Sequence, residues 1–439
     1  MKKVNNSLLL KKGIDEKIIK RISQIKNEPK WMLSIRLKAF HFFLKGKNPP
    51  WAKELEKINF DDYVYYSSIP NNWNELPQKI KQIFKKKSSL NTTSVVCGEN
   101  RQYDSEIIYN SLQKKLKDKG IIFCRLEQAV KSYPSLVKKY FAKLMKINEN
   151  KYVALNTAVW SGGSFIYIPK NVNLTKPLQT HFHINTKNVG QFERTLIIVE
   201  QNSSLKYIEG CTALISPQAN LHTAVVEIFV KDEASCQYIT IQNWSKNVLN
   251  LANKRAIVGQ NGKMEWIDGN FGSKLNMKYP CIILQGKDSM GRYVSIAHAK
   301  KNTIHDTGAK MIHLGQNTKS YIIAKTINDC NSQTIYRGLI KIAKKAKKSF
   351  SNVMCDTLLL DNKSLAQTIP REIIGNSTST IKHEAKITNL DREKMFYLNN
   401  KKIDYSEAKN LLSFGFIQSF TKELPMEYAI EIKRLMNEY

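Results

Sequence analysis

The chain has 439 residues, enough for two or three domains, and its 42% hydrophobic and 10% aromatic content argues for a packed core rather than disorder. Its formal charge of +32 comes from 69 Lys+Arg against 37 Asp+Glu. No run of about 18 apolar residues, no signal-peptide pattern and no dense cysteine framework is present, which disfavours a membrane-spanning protein, a secreted enzyme and a disulfide scaffold.

Residues 1–150 read mostly helical. Trp31–Leu44 is an apolar-rich stretch ending before Pro49-Pro50. A helix is expected after Asp104-Ser105, with Ile108, Leu112 and Leu116 repeating every four residues and Gly120 stopping it. A third is expected around Leu136–Met145 after Pro134, and Asn71–Lys87, polar and basic, reads as loop.

From 151 to 385 short β-rich runs follow one another: Phe165–Ile168, Thr195–Val199, Ala224–Val230, Gln237–Ile241, Cys281–Leu284, Tyr321–Ala324 and Thr357–Leu360. A polar corner centred on Asn or Asp recurs near Asn202, Asp232, Asn261, Asp288 and Asn317, at intervals of 30, 29, 27 and 29 residues. A period of that length without room for crossover helices points to a β-solenoid of the parallel β-helix kind; a sandwich would repeat at shorter spacing. From 386 to 439 the pattern is helical again. Asp391 caps a helix bearing Met395 and Leu398, and Ser406 caps one bearing Ala408, Leu411 and Leu412. After Pro425, Tyr428, Ile432, Leu435 and Met436 form a stripe. Such a hairpin either packs on the solenoid or presents a docking surface.

The basic excess is less specific than its size suggests. Only 11 of the 69 basic residues are Arg, the residue suited to bidentate phosphate and base contacts, and Lys, Asn and Ile are abundant together, as in an AT-rich coding sequence. A nucleic-acid-binding protein is therefore the alternative rather than the leading reading. A β-helix carbohydrate-active enzyme lacks the clustered carboxylates it needs. Neither a phosphate-binding G-x-x-x-x-G-K-[ST] nor a G-x-S-x-G elbow occurs; Ser161-Gly162-Gly163-Ser164 lacks the lysine.

The seven cysteines (97, 124, 211, 236, 281, 330, 355) contain no C-x-x-C pair and suggest a reducing compartment. In a solenoid, residues one period apart are neighbours. That arithmetic brings His383 and Glu384 to Cys355, a donor set suited to iron or zinc. Because strand side chains alternate, both cannot face the thiol unless the strand bends; the alternative is a buried thiol beside a surface His-Glu pair. The same arithmetic sets Thr240 beside Cys211, with Gln242 and Trp244 just beyond, where a thiol among polar groups suits a transferred sulfur atom. A core cysteine is the alternative there. Cys97, Cys124, Cys236, Cys281 and Cys330 read as structural. His222, His298, His305 and His313 read as polar residues on solenoid faces or loops.

Many stretches in order resemble the SufB family, the scaffold subunits of the SUF iron–sulfur cluster assembly machinery. They include Asn27-Glu28-Pro29-Lys30-Trp31-Met32, Gln102-Tyr103-Asp104-Ser105-Glu106, Gly163-Ser164-Phe165-Ile166-Tyr167-Ile168-Pro169, Gly190-Gln191-Phe192-Glu193-Arg194-Thr195, Glu209-Gly210-Cys211-Thr212-Ala213, Gln242-Asn243-Trp244, Lys310-Met311-Ile312-His313-Leu314-Gly315, Cys355-Asp356, His383-Glu384-Ala385 and Glu423-Leu424-Pro425-Met426-Glu427.

The resemblance implies a mainly-β fold, a right-handed parallel β-helix core between N-terminal and C-terminal α-helical regions. It implies a non-enzymatic scaffold with several partners: the SufC ATPase docked by residues 386–439, SufD or a second copy paired through the β-helix, a cysteine desulfurase with its sulfur carrier, and recipient apoproteins. Neither nucleic acid nor a membrane span belongs to it. Carried over by motif, Cys211 accepts persulfide sulfur, and Gln242, Trp244, Lys254 and Asn185 line its path. Cys355, Glu384 and His383 hold a transient cluster, [4Fe–4S] in the expected form. Where many members carry an arginine this chain has His183. The composition, with no targeting segment recognised, fits a plastid (apicoplast) stroma and an organelle genome, or equally the cytoplasm of an AT-rich bacterium.

Overall fold

The computed structural model describes residues 8–68, 96–103, 106–184, 189–213, 220–422, 424 and 426–438. Asn71–Lys87 lies outside them.

The middle of the chain is a parallel β-solenoid of about 7 turns, with helices before and after it. Two sheets face each other. One carries, in spatial order, Leu178–Ile184, Ser204–Ala213, Ser235–Trp244, Lys263–Gly272, Met290–Lys300, Lys319–Asp329, Phe350–Leu359 and Thr380–Asn389, all paired in parallel. The other stacks Ser164–Ile168, Gln191–Val199, Asn220–Val230 and Val248–Val258, then continues through shorter strands to Leu365–Ile374. The β-rich runs anticipated from the sequence lie in strands of these two sheets, except that Leu360 falls one residue beyond Phe350–Leu359.

The recurring corner has a backbone cause. Asn202, Asn261, Asp288 and Asn317 all take left-handed φ values between 53° and 60°, where Asn and Asp are tolerated best. In the second corner the left-handed residue is Glu233, one beyond Asp232. Asparagines also tie neighbouring coils: Asn202 Nδ2 donates to Asn171 Oδ1 at 2.9 Å, and Asn331 Nδ2 to Asn302 Oδ1 at 2.6 Å.

Helices Glu16–Ile25, Lys30–Lys45 and Lys151–Val159 pack together at the N-terminal side. The helix expected after Asp104-Ser105 is instead a strand, Glu106–Leu112, antiparallel to Gly98–Tyr103, followed by a short helix Lys114–Asp118. The helix after Pro134 ends at Tyr140 rather than Met145, because Ala142 turns with φ 57°. That turn is held by a buried carboxylate. Glu227 accepts the backbone N–H groups of Ala142 and Leu144 at 2.9 Å and Met145 at 3.0 Å, and pairs with Arg194 at 2.7 Å. Arg194 in turn donates to Thr157 Oγ1 at 2.7 Å and lies over the Phe141 ring. At the start of the core, Gly163 has φ +98°, and a Cβ there would strike the Arg194 carbonyl.

Helices Arg392–Asn400, Tyr405–Thr421 and Met426–Glu438 close the chain. Asp391 caps the first, as expected; Asp404 rather than Ser406 caps the second, accepting from Ser406 N at 2.6 Å. Ile417, Leu424, Ile432, Leu435 and Met436 pack on Ile239, Ile241, Ile267 and Phe271, the outer face of the first sheet. The hairpin therefore borrows its core from the solenoid, and Lys409 pins it to Asp329 at 2.7 Å.

Glu227→Gln removes the charge that Arg194 and three amides share. A buried pair broken on one side costs about 3–5 kcal/mol, so urea unfolding should show a loss of that order; a change under about 1 kcal/mol would contradict the anchoring role.

Candidate functional site

Alternate residues of each strand point into the lumen, so register stacks them in columns. One inward column of the first sheet reads Tyr207, Tyr238, Trp266, Tyr293, Ile322, Val353, His383. The next reads Glu209, Thr240, Asp268, Ser295, Ala324, Cys355, Ala385. Cys211 begins a third, followed by Gln242 and Asn270. Phe182, Cys211, Trp244 and Val248 form their own buried cluster.

Two expected neighbours shift. The coil after Cys211 is longer than the period assumed, so Gln242, not Thr240, lies against it, and Thr240 lies against Glu209. At the other end Ala385 opposes Cys355, Glu384 opposes Met354, and His383 opposes Val353. His383 thus shares the face of Cys355, while Glu384 stands on the opposite face. His383 Nδ1 pairs with Glu372 Oε1 at 2.7 Å. Asn185 falls outside the described residues.

Around Cys211 the lumen is polar and charged. Lys254 Nζ donates to Thr240 Oγ1 at 2.6 Å and pairs with Asp268 Oδ1 at 3.3 Å. Lys278 Nζ reaches the same oxygen at 3.2 Å and Gln242 Oε1 at 3.4 Å. Burial works against the Asp268 carboxylate, but the two ammonium groups outweigh it and hold its pKa below the ordinary value. Burial lowers Lys278 to about 8. Cys211 Sγ lies 3.8 Å from Glu209 Oε1, and the ligand atoms of Glu193, Glu209 and Cys211 all lie within 4.8 Å of one another. Burial, then Glu209 and Glu193, push the Cys211 thiol well above its usual pKa, with Lys254 and Lys278 opposing. Burial raises Glu193 to about 7, His222 opposing.

Cys355 is also buried, and its thiol is pushed up to about 12 by burial, the Tyr336 phenol drawing it back. Both thiols are thus neutral and slow nucleophiles until a positive charge or a metal arrives. The sequence reading missed Glu193, Glu209, Asp268, Lys278 and His222 as site residues. The signal was there: Glu193, His222 and Asp268 each interrupt an apolar strand at an inward position. The four histidines read as face or loop residues are all buried.

Comparison with known proteins agrees with this architecture. Residues 182–416 match the family model described as SUF system FeS cluster assembly, SufBD core domain, and residues 21–180 match the SufBD protein N-terminal region. An iron–sulfur cluster assembly SufBD family protein of Staphylococcus aureus (strain MRSA252) is 47% identical over 430 residues, covering 97% of this chain and 92% of that protein. One of Staphylococcus haemolyticus (strain JCSC1435) has the same identity and coverage. The chain belongs to the SufBD family, whose role lies in SUF iron–sulfur cluster assembly. These relatives are bacterial and lend no support to a plastid location. Among the described residues no helix is long and apolar enough to cross a membrane.

Two predictions follow from burial. Burial lowers His298 to about 3, and His305 and His313 to about 4, from 6.5. The unfolded chain takes up protons on these imidazoles below about pH 6.5 that the folded chain refuses, so they make stability fall as pH drops from 6.5 toward 4; Glu193 acts in the opposite sense. His305→Gln should remove on the order of 3 kcal/mol of that dependence; identical urea-midpoint profiles for variant and parent from pH 4 to 7 would contradict it. Separately, Cys330 is exposed and Cys211 buried. A small alkylating reagent should modify Cys330 first, with Cys211 labelled at a comparable rate only after denaturant is added; equal native rates would contradict the closed lumen.

Proposed function

We propose that this chain is a SufB-type scaffold rather than a SufD-type subunit or an enzyme. It receives sulfur at Cys211 and assembles a transient cluster, [4Fe–4S] in form, at Cys355. The observation that carries this reading is the inward column that starts beside Cys211 and ends at Cys355. Glu209, beside Cys211, leads through Thr240, Asp268, Ser295 and Ala324 to Cys355. Five strand steps separate the ends, about 24 Å at about 4.8 Å each.

In the proposed step the Cys211 thiolate attacks the outer sulfur of a donor persulfide. A Cys211 S–S bond forms, the donor's S–S bond breaks, and the donor leaves as a thiolate that takes up a proton. Lys254 and Lys278 oppose the burial and the two carboxylates that keep the thiol protonated, so the thiolate is the minor form that reacts, and Gln242, which accepts from Lys278 and Asn250, orders the polar wall. Trp244, packed with Cys211, closes the apolar side. Asn185 is kept as a path residue on the resemblance alone. At the far end His383 joins Cys355 from the same strand face as a ligand of the cluster being built; Glu384, facing outward, would serve from the partner side.

The partner surfaces have physical support of two kinds. Leu365–Ile374 and Thr380–Asn389 are the last coil, each paired along one edge among the described residues, and Leu365, Ile369, Ile373, Ile374 and Ile387 are exposed there. An unpaired apolar edge is a template for strand addition, which suits SufD or a second copy. On the C-terminal helices Phe396, Tyr397, Tyr405, Leu411, Met426 and Ile430 are exposed, which suits the SufC ATPase. A desulfurase with its carrier and the recipient apoproteins complete the partners. An AT-rich bacterial cytoplasm accounts for composition and relatives together; a plastid (apicoplast) stroma rests on composition alone.

Anaerobic reconstitution with iron and sulfide should give a visible cluster chromophore that Cys355→Ser largely abolishes; an unchanged spectrum contradicts the cluster site. Incubation with a cysteine desulfurase should place a persulfide on Cys211, read by mass spectrometry of alkylated peptides. Absence of label there, with label elsewhere on the chain, contradicts the acceptor role.

A further inference from the structure

The charge balance around Cys211 is incomplete. Lys254 and Lys278 both turn to Asp268. Glu193 and Glu209 share the same buried interior, and neither forms an ion pair with a lysine or arginine among the described residues. Tyr238 donates its hydroxyl hydrogen to Glu209 Oε2. Glu193 Oε1 has no hydrogen-bond partner, although the residue is 2% exposed. A carboxyl oxygen left bare in a buried site is costly unless a proton or a cation satisfies it, and Glu193, raised to about 7 by burial, stands ready to exchange one for the other.

A second observation comes from the opposite sheet. His222 is fully buried, and its Nε2 has no hydrogen-bond partner and stands 3.6 Å from Glu193 Oε2. Its tautomer is set by its neighbours. Asn250 uses its amide nitrogen to donate to Gln242 Oε1 and Asn276 Oδ1, both at 2.9 Å, so its Oδ1, 2.7 Å from His222 Nδ1, must accept. Nδ1 therefore donates, which leaves Nε2, facing Glu193, as the ring nitrogen available to a metal. A ring nitrogen held as a donor by an amide oxygen while the other is left bare is the arrangement that orients metal-binding histidines.

We propose that Glu193, Glu209, Cys211 and His222 form a binding site for a divalent transition metal inside the solenoid lumen, distinct from Cys355. One thiolate, one imidazole and two carboxylates match the preferences of iron(II), with zinc and cobalt(II) as close chemical substitutes. The three donor atoms already within 4.8 Å of one another need only small side-chain rotations to reach a common ion at about 2.0–2.3 Å. Binding releases the Cys211 proton to solvent and replaces the repulsion between the carboxylates with attraction to the ion. Trp244, whose ring centre lies 4.7 Å from that of His222, covers the site. The site does not require Cys211 to accept sulfur. Should it also do so, iron and sulfur would meet on one side chain.

The test uses the full chain carrying Cys355→Ser, titrated anaerobically with cobalt(II). The expected result is one tight equivalent with thiolate-to-cobalt charge-transfer absorbance, lost in the further variant Cys211→Ser and weakened at least about tenfold by Glu193→Gln or Glu209→Gln. X-ray absorption of the cobalt-loaded Cys355→Ser protein needs no variant in the lumen, and should show one sulfur among oxygen and nitrogen scatterers. A first shell without sulfur, or charge-transfer absorbance unchanged by Cys211→Ser, overturns the site. Persulfide labelling of the metal-free protein is read separately, so a failed acceptor role and a failed metal site give different results.

Discussion

Two lysines buried on a single aspartate are the interaction on which the rest of the interior depends. Lys254 and Lys278 come from adjacent coils of one sheet and meet Asp268 of the other, so their ion pairs cross the lumen. Buried charges rarely add net stability compared with apolar packing. Here they set a charged segment of the lumen beside Cys211. The same charges hold Cys211 in a polar wall instead of the apolar core that surrounds Cys236.

The stacking that makes the site also makes the fold. Each coil contributes one residue to each inward column, so a ladder of aromatic rings, Tyr207, Tyr238 and Trp266 with centres 5.0 Å apart, runs beside the ladder that leads to Cys355. Under the proposed function a transferred sulfur atom would pass along one column of small or polar residues, Thr240, Asp268, Ser295 and Ala324. The flanking regions attach to the outside of this unit, the N-terminal helices through Arg194 and Glu227 and the C-terminal helices through Lys409 and the Ile239–Ile267 face.

Much of the fold was legible in the sequence because left-handed corners every 27 to 30 residues favour Asn or Asp, and those residues are visible in the chain. The neighbours across coils were less legible. Coil length varies, since Ser204 pairs with Ser235 but Lys263 pairs with Met290, and an error of one residue turns a side chain to the other face. That is why Glu384 was set beside Cys355; Thr240 was set beside Cys211 by a two-residue error that kept it on the same face. The strand Glu106–Leu112 was read as helix for a related reason. Ile108 and Leu112 are four apart, a spacing that fits one face of a helix and of a strand alike. The two cysteines stood out by their motifs; Glu193, Asp268 and Lys278 did not, because a single inward polar residue looks ordinary until the opposite sheet is in place. The basic excess is carried mainly by lysine, and two of those lysines, Lys254 and Lys278, are buried in the lumen.

The central claim is that sulfur enters at Cys211 and reaches Cys355 through one lumen. The most direct measurement is to load the protein anaerobically with isotopically labelled persulfide, add iron(II), and follow the label at both cysteines by mass spectrometry over time. The account predicts label at Cys211 first and at Cys355 afterwards, with Cys211→Ser leaving Cys355 unlabelled. Label arriving at Cys355 at an unchanged rate in the Cys211→Ser protein would contradict it.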